Sequence, residues 1–203
     1  QDDIADKVLD MLAGTMQELR MGDPSQLHTD IGPVIDDNAR AMLEQHVERM
    51  DSEGTPLASC ELGSEAVDGS FFAPRVYRID RLEQLEFEVF GPILHVIRYR
   101  ASELSGVLES INRSGYGLTL GVHSRIDGFA RDVFRATRVG NTYVNRNMVG
   151  AIVGANPFGG QGLSGTGPKA GGPHYLLRFV TEKTRTDNVT AKGGNAQLFN
   201  LAE

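Results

Sequence analysis

Two strings in this chain combine residue types that could do chemistry. Glu88-Val89-Phe90-Gly91-Pro92 comes first, and Asn156-Pro157-Phe158-Gly159-Gly160 with Ser164-Gly165-Thr166-Gly167 follows. Glu88 offers an acceptor-only carboxylate. From chemistry alone it reads as a solvated loop charge, with Gly91-Pro92 turning the chain into a strand. The string precedes that strand, whereas ligands on open parallel sheets gather beyond the carboxyl ends of strands. The second string lies in a glycine-dense stretch, Gly150 to Gly172, where the backbone is shaped for close approach. Gly160, Gly162 and Gly165 spell a formal G-x-G-x-x-G. A dinucleotide fingerprint should follow a strand and open a helix. Pro157, Gly159, Pro168 and Gly171-Gly172 oppose both, so the pattern is read as a decoy beside a structural glycine loop. No Gly-Lys-Ser/Thr follows to make a phosphate-binding loop of the other kind.

The remaining reactive types are sparse. Cys60 is the single cysteine. Its neighbours offer no cation, and Glu61 would raise its pKa, so it is read as structural. One cysteine makes neither an internal disulfide nor a zinc cluster. The five histidines (His28, His46, His95, His123 and His174) show no metal-ligand spacing. His46 and His95 fall within apolar helix and strand patterns and read as packed residues.

The elements that must position these strings follow from periodicity. Ile4, Val8, Leu12, Met16 and Leu19 predict a helix, capped by Asp2 or Asp3 and ended by Gly22-Asp23-Pro24. A second helix begins near Asp36, carries Ala39, Met42, Leu43, His46, Val47 and Met50, and ends at Gly54. Short strands follow at Pro56 to Cys60 and Pro74 to Ile79. Ile93 to Ile97 is a nearly continuous apolar run, which predicts a strand covered on both faces. Alternation continues with helix 102–114, strand 118–122, helix 128–138 and strand 141–145. This order predicts an α/β fold with a mostly parallel open sheet and flanking helices. Pro173 to Arg178 reads as a short helix. Phe179 to Thr190 is rich in Thr and Val and reads as an extended β tail that needs another surface to pack on.

Composition sets the outer bounds. The chain has 203 residues, 40% hydrophobic and 23% charged, as expected of a globular protein with about one ordinary core. A formal net charge of -7 and the absence of a Lys/Arg-rich block argue against a nucleic-acid surface. No apolar run is long enough for a transmembrane segment, and Gln1-Asp2-Asp3-Ile4 is not a signal peptide. A start on a helical stretch without an initiator Met reads as a piece of a longer polypeptide.

In their order, the two strings resemble the C-terminal half of the aldehyde dehydrogenase catalytic domain. The resemblance covers nearly the whole chain. It implies that Glu88 accepts hydrogen bonds from the nicotinamide ribose of NAD and that Phe90 packs beside it. The longer form, Gly150-Ala151-Ile152-Val153-Gly154 through Ser164-Gly165-Thr166-Gly167 and Gly172-Pro173-His174-Tyr175, is similar to the branch acting on L-glutamate γ-semialdehyde, also called Δ1-pyrroline-5-carboxylate dehydrogenase. There, the resemblance implies, Gly150 and Ala151 anchor the substrate's α-carboxylate through backbone N–H groups. Phe158 packs on the substrate's aliphatic chain.

The nucleophilic cysteine, the general base and the NAD-binding half are expected upstream of Gln1, so the chain by itself is expected to be inactive. The tail Thr184 to Asn195 resembles the continuation in bacterial bifunctional proline-utilisation proteins, which implies FAD in a separate proline dehydrogenase half and a cytoplasmic location, with the parent able to lie peripherally at the inner membrane. The division expected is residues 1–178 as a partial catalytic domain and 179–203 as a β tail that makes a homo-oligomer. The rival reading is a non-catalytic interaction module using that tail.

Overall fold

The computed structural model describes residues 1–64, 66, 68–150, 152, 155–188 and 191. Helix α1 spans Asp2–Glu18 and α2 spans Asp37–Glu53. Strands β1 (Thr55–Ser59), β2 (Arg75–Arg78) and β3 (Ile93–Val96) follow. The second half runs α3 (Leu104–Arg113), β4 (Tyr116–Gly117), β5 (Thr119–Val122), α4 (Asp127–Ala136), β6 (Asn141–Val144) and β7 (Gln161–Gly162).

Helix α2 forms as its pattern predicts. Asp36 caps it, its Oδ1 accepting from the Ala39 N–H at 2.8 Å, and Gly54 ends it. For α1 the expected cap is wrong. Gln1 occupies the cap position without a side-chain bond, and Asp2 and Asp3 lie in the first turn. Asp2 instead pairs with Arg98 at 3.0 Å, and Asp6 pairs with the same guanidinium at 2.7 Å. The acids are thus used to fasten the helix to the segment after β3.

Helices cover β2 on both sides. Val76 and Tyr77 are adjacent and therefore face opposite ways. Val76 packs with Met16, Met21, Cys60 and Phe71, on the α1 side. Tyr77 packs with Leu43, Val47 and Met50 from α2, together with Phe72 and Ile79. A third cluster joins Val122 of β5 to Ala130 and Val133 of α4. Each helix is therefore held by one apolar stripe against a strand.

The sheet is not the mostly parallel one expected. β2–β3 and β5–β6 are parallel, but β1–β2 and β4–β7 are antiparallel. Among the described residues the strands form three sheets, β1-β2-β3, β4-β7 and β5-β6. Nor is β3 covered on both faces, since Leu94 is 47% exposed. The predicted helix before Arg178 is a short 3-10 turn at Leu176–Phe179. Residues 180–188 form neither helix nor strand, and the end of the expected β tail lies outside the described residues. Among the described residues, no helix is long and apolar enough to cross a membrane.

Candidate functional site

The Glu88 string links a 3-10 turn at Leu82–Gln84 to β3. Its glycine is required by packing. A Cβ on Gly91 would lie 2.4 Å from Cδ2 of Leu43, which is fully buried. Val89 packs on the same α2 cluster, and the Pro92 carbonyl accepts from Arg75 N–H at 3.1 Å. These contacts fix the backbone and leave Glu88 and Phe90 exposed, Phe90 by 82%. The Glu88 carboxylate has no hydrogen bond or ion pair to any described residue.

Glu88 lines a cavity of about 860 Å³. Ile93 and His95 of β3 line it, together with Leu118, Thr119, Leu120, Leu163 and Ser164. Arg113 and Glu83, paired at 3.2 Å, line it as well. Glu83 is held below the usual carboxylate range by its own backbone N–H and then by Ser110, whose hydroxyl donates at 2.9 Å. Glu88 therefore shares one space with the Ser164 end of the second string. Phe90, Gly150 and Phe158 are not among the cavity's lining residues. Ala151 lies outside the described residues.

The second string is tied to β6 and to its own return. Phe158 and Ala170 exchange backbone hydrogen bonds of 3.1 and 2.9 Å. Asn141, 8% exposed, donates from Nδ2 to the Pro157 carbonyl at 2.9 Å and accepts from Gly159 N–H at 3.2 Å. The Lys169 ammonium donates to the Gly140 carbonyl and lies 3.4 Å from Asn141 Oδ1. The formal G-x-G-x-x-G forms β7 and a tight turn, with Ser164 Oγ accepting from Gly117 N–H at 3.0 Å. It opens no helix, as expected of a decoy.

Asn141, Tyr143 and Lys169 were missed by sequence reasoning. Only the alternation of Asn141 and Tyr143 along β6 could have marked them as sharing a face, and nothing local marks Lys169. Cys60 is structural, as read. It is 7% exposed, its Sγ donates to the Met16 carbonyl at 3.3 Å, and burial pushes its thiol pKa up. His46 and His95 are packed, as read, and moreover pack on each other, with Nε2 atoms 2.9 Å apart.

Comparison with known proteins gives the family of the chain. The aldehyde dehydrogenase family model matches residues 1–185, and the chain belongs to that family. The bifunctional protein PutA of Escherichia coli is 54% identical over 188 residues, covering 90% of this chain and 14% of that protein. The 1-pyrroline-5-carboxylate dehydrogenase of Geobacillus kaustophilus is 38% identical over 185 residues, covering 90% of this chain and 35% of that enzyme. A crystal structure of Bradyrhizobium japonicum proline utilization A superposes with a TM-score of 0.89 at 53% identity, over 95% of this chain and 20% of the other. A betaine aldehyde dehydrogenase from Staphylococcus aureus superposes at 0.80 with 26% identity, over 90% of this chain and 36% of the other. The chain thus spans about a seventh of the PutA relative and about a third of the 1-pyrroline-5-carboxylate dehydrogenase.

Proposed function

We propose that this chain forms the cofactor-orienting and substrate-holding wall of an NAD-dependent L-glutamate γ-semialdehyde dehydrogenase, in the proline-oxidising direction of metabolism. The observation that carries this reading is the 38% match over 185 residues to an enzyme named for that single activity. The match to proteins named bifunctional supports a parent with a second activity, which we assign to an FAD-dependent proline dehydrogenase half.

The residues present fit NAD. Glu88 is an exposed, unpartnered carboxylate on a roomy cavity, and it can accept both hydroxyl donors of a ribose diol. NAD, when bound, accepts the hydride. Glu88 holds the ribose, and Phe90 supplies an exposed ring beside it. Gly150 and Ala151 take the substrate's α-carboxylate on backbone N–H groups, and Phe158 packs along its methylenes. A cysteine thiolate outside this chain adds to the aldehyde carbon; loss of hydride leaves a thioester, and water releases glutamate and the thiol. Cys60 cannot be that nucleophile, because its thiol is buried and its pKa raised.

The test is a chimera in which this chain replaces the matching segment of the Escherichia coli PutA relative, assayed beside the chain alone. The chain alone turns over no semialdehyde. In the chimera, Glu88→Leu lowers kcat/KM for NAD by about tenfold or more, the worth of hydrogen bonds to a charged acceptor. Unchanged NAD kinetics in that variant would reject the assignment of Glu88.

A further inference from the structure

The peptide on each side of Phe158 is held at both of its edges. In the first, the Pro157 carbonyl accepts from Asn141 Nδ2 at 2.9 Å and the Phe158 N–H donates to the Ala170 carbonyl at 3.1 Å. In the second, the Phe158 carbonyl accepts from Ala170 N–H at 2.9 Å and the Gly159 N–H donates to Asn141 Oδ1 at 3.2 Å. A trans peptide is a rigid plane, so fixing two successive planes fixes φ and ψ of the residue between them. One asparagine and one residue of the returning chain therefore set the direction in which the Phe158 side chain leaves the backbone.

The asparagine is itself fixed. Asn141 lies on β6 and is 8% exposed. Its Oδ1 meets two donors, the Gly159 N–H and the Lys169 ammonium at 3.4 Å, while its Nδ2 meets a carbonyl. Only one orientation of the amide satisfies all three. Lys169 also donates to the carbonyl of Gly140, the residue before Asn141. Its stem crosses Gly159, where a Cβ would lie 3.3 Å from both Cα and Cγ of the lysine. Lys169 is half-buried, and its ammonium meets neutral oxygens and no carboxylate among the described residues. An ammonium there costs desolvation that a methionine of similar length would not. What it adds is a fixed Asn141 amide, one residue before Ala170 takes hold of Phe158.

Resting on the reading of Phe158 as the wall beside the substrate's methylenes, we propose that Asn141 and Lys169 are positioning residues for that wall. Neither is called on to touch the substrate. They hold the ring at one angle, so that it packs along an aliphatic chain and adds binding with each methylene it covers. The clamp thereby sets the preference for longer over shorter aldehydes. This role is independent of how the carboxylate end is held.

The experiment compares pentanal with propanal in the chimera, since neither carries a carboxylate. Lys169→Met keeps the stem over Gly159 and removes the ammonium, and Asn141→Ala removes the clamp. Both should raise KM for pentanal about three- to tenfold, at about fourfold for each methylene that loses its contact. KM for propanal and both kcat values should change less than about twofold, as when binding common to ground and transition states is lost. Lys169→Arg, which returns a cation to the same carbonyl, should bring the pentanal-to-propanal ratio back toward that of the parent chimera. An equal rise for both aldehydes marks a merely structural role and overturns the proposal, as does an unchanged ratio in Lys169→Met. If Asn141→Ala does not fold, the two lysine variants decide alone. Phe158→Ala separates the two levels of inference. If it shifts the ratio and the clamp variants do not, only the role of Asn141 and Lys169 falls. If it leaves the ratio unchanged, the reading of Phe158 as the wall falls and takes this proposal with it.

Discussion

At the scale of single residues, the His46–His95 contact makes a pH-dependent demand. Nε2 to Nε2 at 2.9 Å requires one ring to donate and the other to accept, so two imidazolium ions cannot share it. Burial, and then the nearby Arg49, lowers the pKa of His46, with Glu53 pulling the other way. Burial, then His46, then Arg49 brings His95 down to about 4. In the unfolded chain both rings titrate near 6.5. Below that pH the unfolded state binds protons that the folded state refuses. The stabilising contribution is therefore complete above about 6.5 and is lost as pH falls toward about 4. Thermal melts should show Tm falling between pH 7 and pH 5, and His95→Gln should flatten that part of the profile. Retention of the full slope in the variant would assign the loss to other groups. The sequence placed both histidines in apolar patterns but could not pair them, because 49 residues separate them and only the packing of α2 on the sheet brings them together.

At the scale of elements, the loop carrying Phe158 depends on a close approach between glycines. A Cβ on Gly140 would lie 1.9 Å from the Gly159 carbonyl oxygen and 2.8 Å from its carbon. These are backbone atoms and cannot rotate aside. Gly140→Ala should push the loop off β6, break the Asn141–Gly159 bond and cost about 1–3 kcal/mol, as overpacking does. Gly14 of α1 is the control. A Cβ there meets nothing within 4 Å, so Gly14→Ala should leave stability unchanged or raise it by about 0.5–1 kcal/mol through helix propensity. Denaturant melts of both variants check the contrast, and equal effects would refute it. The same distinction separates what was legible from what was not. Helix α2 was legible because a 3.6-residue stripe and terminal punctuation at Asp36 and Gly54 are local signals. The strand at Ile93 was legible for the same reason, but its cover was not. An apolar run records hydrophobicity and not which partner lies over it, and Leu94 is left bare. Strand direction was misjudged because β1 and β2 are joined by a loop rather than a crossover helix. The string at Glu88 was legible through family resemblance, whereas Lys169 acquires its role only when the chain returns 29 residues later to Gly140.

At the scale of the whole molecule, exposed apolar residues occur along much of the chain, and two runs of them stand out. Leu176, Leu177, Phe179 and Val180 are 72%, 64%, 70% and 66% exposed, interrupted only by Arg178. The outer stripe of α1 is also bare, with Ile4 at 54%, Val8 at 50% and Met11 at 73%. Isolated exposed apolar residues are ordinary, but contiguous ones mark surfaces that meet a partner. Residues 180–188 follow the first patch in an exposed, irregular path. If the tail makes a homo-oligomer, the chain should grow in apparent mass with concentration in light scattering, and a chain ending at Phe179 should do so more weakly. Ile4→Ser with Val8→Ser tests the second surface. Those substitutions touch positions that are already half exposed, so they should alter association without loss of the core around Met16. If the shortened chain associates as strongly as the full one and the α1 variant does not, α1 is the interface. The tail then loses its assigned role, and with it the rival view of this chain as an association module built on that tail.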